Sequence, residues 1–112
     1  MIEHDAVLLR IYVSESARSG GRPTSHALVE RLLAQGFRGA TVFRGVEGFG
    51  SHRRISVDWT PDAPGDLPML IEVADDDLQR VRTFLATIDE VLADGLVTVE
   101  RIQRLLYTSS GT

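Results

Sequence analysis

Two stretches of helical periodicity, each set between strand patterns, leave this chain very few ways to fold. Ala6 to Val13 is rich in β-branched and aliphatic residues and reads as a strand. Ser14 to Gly21 is polar and glycine-bearing, a loop. Pro23 and Thr24 then open a helix, proline being suited to an N-terminal position. Its predicted apolar face is Ala27, Leu28, Leu32 and Leu33, with Gly36 as the stop and Phe37 supplying the hydrophobic contact after it. Ala40 to Val46 is the second predicted strand. Gly48 to Asp66 is mainly loop, with the punctuation Pro61-Asp62-Ala63-Pro64-Gly65, though Ile55 to Trp59 alternates as a short strand does. Leu67 to Ala74 is the third main strand, and Pro68 is tolerable at its start.

Asp75, Asp76 and Asp77 suit the positive N-terminal end of a second helix. Its apolar stripe runs through Leu78, Val81, Phe84, Leu85, Ile88, Val91 and Leu92, and Gly95 ends it. Leu96 to Tyr107 is the last strand, and Thr108 to Thr112 forms a frayed tail. The resulting βαββαβ order predicts a ferredoxin-like α+β sandwich: an antiparallel four-stranded sheet with both helices on one face. At 112 residues, 43% of them hydrophobic, residues 1–112 make one domain with one core. The first and third strands are apolar on both faces, and two helices can cover only one. A second copy of the chain is the simplest cover for the other.

Composition removes several function classes. There is no cysteine, which excludes disulfides, thiolate metal sites and cysteine catalysis. No apolar run resembles a signal peptide or a membrane span, so the expectation is a cytoplasmic protein with no direct membrane insertion. A formal net charge of −4 argues against a nucleic-acid partner. All twelve cationic residues are arginine, so richness in arginine by itself says little about ligands.

The chemistry-bearing stretch is the glycine-rich exit of the second strand. Arg44, Gly45, Val46, Glu47, Gly48, Phe49 and Gly50 are followed, after Ser51, by His52, Arg53 and Arg54. Glycines permit positive φ and close approach, and successive N–H groups in such a turn can cradle an anion. Adjacent guanidinium groups suit phosphate. The spacing leaves open a plain turn with solvated arginines. A dinucleotide fingerprint is disfavoured, because its glycines lead directly into a helix. His4, His26 and His52 lack the spacing of metal ligands, and no nucleophile–base set is evident.

The chain resembles the PII-like proteins, most closely the bacterial domain-of-unknown-function family 190, related to nitrogen-regulatory PII signalling proteins. The resemblance lies in Leu9-Arg10-Ile11-Tyr12-Val13-Ser14-Glu15-Ser16, in Gly39-Ala40-Thr41-Val42 with Arg44 to Gly50, in Asp66-Leu67-Pro68, and in Gly95-Leu96-Val97-Thr98-Val99-Glu100. It implies a homotrimer with ligand clefts between subunits. It also implies a small phosphorylated ligand, an adenine nucleotide (AMP, ADP or ATP) or a similar phosphate ligand, and a Ser51–Gly65 effector-type loop that docks on a partner such as a membrane transporter. By the resemblance, Gly48, Phe49 and Gly50 sit at the base of that loop, and Asp94 and Gly95 face them from before the last strand. The expected binding set is therefore Arg44, Glu47, Gly48, Phe49, Gly50, His52, Arg53, Arg54, Asp94, Gly95 and Arg101, in a regulator rather than an enzyme. Tyr12 and Tyr107, the only tyrosines, lie in predicted strands, so the loop offers no uridylylation acceptor. Two rival readings share these residues. One is a metal-responsive trimer similar to the CutA group. The other is an enzyme acting on a phosphorylated small molecule, with Glu47 or His52 as its base.

Overall fold

The computed structural model describes residues 1–60 and 66–108. The 61–65 punctuation and the tail beyond Thr108 lie outside the described residues. Four strands, β1 (Ile2–Ser14), β4 (Thr41–Arg44), β7 (Pro68–Asp75) and β8 (Leu96–Leu106), form one antiparallel sheet in the order β4-β7-β1-β8. This is the ferredoxin-like arrangement. Helices α1 (Thr24–Ala34) and α2 (Leu78–Thr87) cover one face, with a 3₁₀ turn at Ile88–Glu90 after α2. Two pairs of short strands were not both foreseen. β2 (Arg18–Ser19), inside the Ser14–Gly21 segment read as loop, pairs with β3 (Arg22–Pro23) just after it, while β5 (Glu47–Gly48) pairs with β6 (Ser56–Val57).

Leu9, Ile11 and Val13 of β1 and Ile71 and Val73 of β7 point toward the helices. They meet Leu28 and Leu32 of α1 and Val81, Phe84 and Ile88 of the second helical segment in one buried cluster. The α1 stop is a Schellman motif. Gly36 adopts φ +87°, its N–H donates to Leu33 O at 3.2 Å, and Phe37 N–H donates to Leu32 O at 3.2 Å. Phe37 is thereby folded under the helix, edge-on to Phe84 with centroids 5.6 Å apart.

Several expectations shift. Leu33 lies on the solvent side of α1 and is 76% exposed, its place in the buried line taken by Thr24. The second strand ends at Arg44 because Gly45 N–H donates to Pro68 O at 2.8 Å and the chain then leaves the sheet. Of the three aspartates, only Asp77 caps α2, accepting from Arg80 N–H at 3.1 Å. Asp75 belongs to β7, is fully buried, and receives Arg80 through both carboxylate oxygens at 3.0 and 3.1 Å. The helix stops at Thr87, before Val91, Leu92 and Gly95, and Leu78 is exposed.

The open face of the sheet carries a row across all four strands: Phe43 opposite Leu70, Leu70 opposite Tyr12, Tyr12 opposite Leu96. Beside it the face is ionic, with Arg10 bonded to Glu72 at 3.2 Å and 3.7 Å from Glu100. The second face is thus apolar at one end and charged in its middle.

Candidate functional site

Beneath the end of the sheet where β1 finishes and β8 begins lies an open cleft of about 1250 Å³. One wall is the tip of the β5–β6 hairpin, contributing Phe49, Gly50, Ser51, His52, Arg54 and Ile55. The facing wall is Asp94, Gly95 and Leu96, and the floor is Tyr12 to Ser14 with Ser16, Ala17, Asp66 and Pro68. The two walls touch at one polar contact, Ser51 Oγ donating to Asp94 Oδ2 at 2.9 Å.

Local sequence explains each wall. The hairpin turns through Arg53 N–H donating to Gly50 O at 2.9 Å, and Arg53 itself takes the left-handed conformation at φ 58°. That positive φ was expected of the glycines, yet Gly45, Gly48 and Gly50 all lack it. Gly45 and Gly48 serve close approach instead. A β-carbon on either would sit 2.8 Å from Pro68 Cγ, so the loop base folds flat against the start of β7. Gly50 has open space where a β-carbon would go. On the opposite wall, a β-carbon on Gly95 would meet Tyr12 O at 2.7 Å and Leu92 Cδ1 at 2.8 Å. Backbone oxygen cannot move aside cheaply. Gly95→Ala should therefore destabilise the fold by about 1–3 kcal/mol, as overpacking does, while Gly50→Ala should stay within about 0.5 kcal/mol. Urea titration of both variants checks the contrast.

The floor is held by Ser14-Glu15-Ser16. Ser14 Oγ donates to Asp66 Oδ1, and Ser16 N–H donates to the same oxygen at 3.1 Å. Glu15 accepts Arg44 through both oxygens at 2.7 and 3.3 Å and Leu67 N–H at 3.3 Å, while its own N–H donates to Leu67 O at 2.9 Å. The start and the end of the long connection between β4 and β7 are therefore stitched to one tripeptide. The hydrogen bond from Arg44 holds the Glu15 carboxyl below the usual carboxylate range, outweighing burial. The Ser14 hydroxyl does the same for Asp66. Both folded pKa values are depressed, so their stabilisation is complete above the unfolded value, near 4, and is lost as pH falls through the folded values. An acid titration should show part of the loss disappearing in Arg44→Ala, because Glu15 then titrates near its ordinary value.

Of the expected binding set, the structure brings Phe49, Gly50, His52, Arg54, Asp94 and Gly95 to the cleft. It does not bring the other five there. Arg44 is paired with Glu15. Glu47 and Gly48 lie on β5, behind the tip, and Arg53 is the turn residue beside the lining. Arg101 lies opposite Val7, five positions along β8 from Leu96. Sequence reasoning missed Tyr12, Ser14, Ser16, Ser51 and Asp66. The only signal for most of them was their presence in the segments that carry the family resemblance. Among the described residues, no three His, Asp or Glu side chains converge as a metal site would need. No helix among them is long and apolar enough to cross a membrane.

The four-stranded antiparallel sheet with two helices on one face is a fold also seen in PII-like proteins of known structure. Solved structures with this fold include CPII, a nitrogen regulatory PII-like protein from Thiomonas intermedia K12. Bound to ADP, AMP and bicarbonate, it matches with a TM-score of 0.64 at 18% identity, covering 96% of this chain and 100% of that one. Bound to ADP, AMP and acetate, it matches with a TM-score of 0.66 at 19% identity, covering 95% and 94%. Residues 6–104 match the DUF190 family, described as Uncharacterized ACR, COG1993, and the chain belongs to that family. Two UPF0166 proteins of Aquifex aeolicus (strain VF5) are similar in sequence. One is 33% identical over 96 residues, covering 86% of this chain and 90% of the relative; the other is 30% identical over 97 residues, covering 87% and 94%.

Proposed function

We propose that this protein is a PII-like regulator of the cytoplasm that binds an adenine nucleotide in the cleft and reports occupancy through the β5–β6 hairpin. The observation that carries the reading is the facing of Phe49-Gly50 and Asp94-Gly95 across one cleft, with His52 and Arg54 on the hairpin wall. Arg54 offers a planar donor pair for phosphate, and Ser51, Asp94 and the cleft floor offer partners for a sugar. The ADP and AMP bound by the similarly folded CPII support the same ligand class. The row Phe43, Leu70, Tyr12 and Leu96 on the open sheet face is the surface that subunits of a homotrimer would bury. Tyr12 and Leu96 belong both to that row and to the cleft, so assembly would close the cleft with a neighbouring subunit.

The protein acts by binding and not by turnover in this reading. Its partner is a protein docked by the hairpin, of which a membrane transporter is the instance suggested by fold analogy. Ligand contacts ordering a loop for docking are an established kind of switch. Thermal unfolding with AMP, ADP and ATP provides the test. A nucleotide at one hundred times its dissociation constant should stabilise the protein by about 2.7 kcal/mol. Arg54→Ala should weaken that nucleotide about tenfold to a hundredfold, since a charge-assisted bond contributes about 1.5–3 kcal/mol. Light scattering should give a mass near three times 12.3 kDa. No shift with any nucleotide, or a monomer at micromolar concentration, would overturn the reading.

A further inference from the structure

Both ends of the connection between β4 and β7 meet at one side chain that stays out of the cleft. Arg44, the last residue of β4, donates to Glu15 through Nε at 2.7 Å and Nη2 at 3.3 Å. Leu67, the residue before β7, donates its N–H to the same carboxylate at 3.3 Å. A two-oxygen grip on a planar guanidinium fixes angle as well as distance. The β5–β6 hairpin rides on these stems, because Asp58 N–H donates to Val46 O at 3.1 Å and Gly48 lies flat against Pro68. On either side of Glu15, Ser14 and Ser16 line the cleft and hold Asp66, which lines it too. Cleft floor and hairpin are therefore joined through three consecutive residues. Each of these contacts lies within one chain and needs nothing from a neighbouring subunit.

From this arrangement we propose that Glu15 is a positioning residue: with Arg44 it sets the pose of the hairpin over the cleft and couples that pose to the ligand. The inference rests on the nucleotide reading above and adds the element that transmits occupancy. It also gives Arg44, which was expected in the binding set, an indirect role. Direct and indirect roles for Arg44 differ in sign. If Arg44 touches phosphate, freeing it from Glu15 strengthens binding, and removing a carboxylate near an anion does so as well. If the pair positions the hairpin, the same change weakens binding, because the nucleotide must then order a looser wall. Coupling is reciprocal, so a nucleotide on the cleft floor also steadies the hairpin.

Trp59, the single tryptophan of the chain, lies just beyond β6 and reports on the hairpin. The test is calorimetric titration of AMP, ADP and ATP into the purified, assembled protein, with time-resolved Trp59 anisotropy on the same samples. Wild type is compared with Glu15→Gln, Arg44→Ala and the double variant. Each single variant should weaken the nucleotides that bind wild type by about threefold to thirtyfold, the range for residues that act without touching a ligand. The double variant should bind no more weakly than the worse single one, as for two residues acting as a unit. Trp59 should move more freely in all three variants, and a nucleotide should steady it less than in wild type. A lower urea midpoint with unchanged affinity and Trp59 mobility would show a merely structural role and overturn the proposal. Unchanged or tighter binding in Glu15→Gln would also overturn it, while leaving the nucleotide reading intact. Failure of all three nucleotides to bind wild type would overturn both.

Discussion

Replacing Arg80 with methionine should destabilise the fold by about 3–5 kcal/mol, the range found when one partner of a buried ion pair is removed. Asp75 ends β7 fully buried, and the guanidinium of Arg80 is the side-chain group that meets both its oxygens. Without it the carboxylate keeps the Asp77 N–H at 2.7 Å and little else. The pair joins the last residue of a central strand to the first turn of α2, so its loss also loosens the entry of the helix. The double variant Asp75→Asn with Arg80→Met should recover a large part of the deficit, because no uncompensated charge is left behind. Urea unfolding of the single and double variants measures both effects. A loss below about 1 kcal/mol in the single variant would mean that water reaches Asp75 in place of Arg80.

Phe84→Ala should cost about as much, some 3–5 kcal/mol. Phe84 is fully buried, stands at the centre of the cluster between sheet and helices, and meets Phe37 edge-on at an interplanar angle of 72°. Alanine leaves a cavity that the sheet on one side and Phe37 on the other cannot close. Leu33→Ala should be almost silent, within about 0.5 kcal/mol, because Leu33 is 76% exposed. Both residues looked like core from periodicity alone. Equal losses in the two variants would refute the burial described here.

The candidate cleft therefore stands on a scaffold whose stability resides in residues other than those that line it. Phe84, Leu9 and Ile71 secure the sheet and helices and lie outside the cleft. Arg54, His52 and Asp94 are surface groups whose loss should leave the fold intact, which makes binding measurements on their variants interpretable. Gly95 bridges the two roles, since it lines the cleft and also fits beneath Tyr12 O.

Much of this was legible in the sequence for a simple reason: it is local. Period-2 and period-3.6 patterns report which residues face one way, and glycine or aspartate at an end reports how a helix stops or starts. Gly36 with Phe37 after α1 and the βαββαβ order were readable on that basis. The Phe49-Gly50 and Asp94-Gly95 elements came from family resemblance, and the fold set them on facing walls. What periodicity could not show is which face of a short helix meets the sheet, so Leu33 and Thr24 exchanged places. Nor could it distinguish three adjacent aspartates, because the cap at Asp77 and the buried pair at Asp75 are separated only by where the strand ends. The glycines after β4 announced an unusual backbone, but their reason is contact with Pro68, twenty residues on from Gly48. The cleft floor was the least legible part. Ser14, Ser16 and Asp66 carry no motif, and they meet because β1 and β7 are paired with Ser14 opposite Pro68. Sequence pattern determined the elements and their order; strand register, a long-range property of packing, decided which side chains share the site.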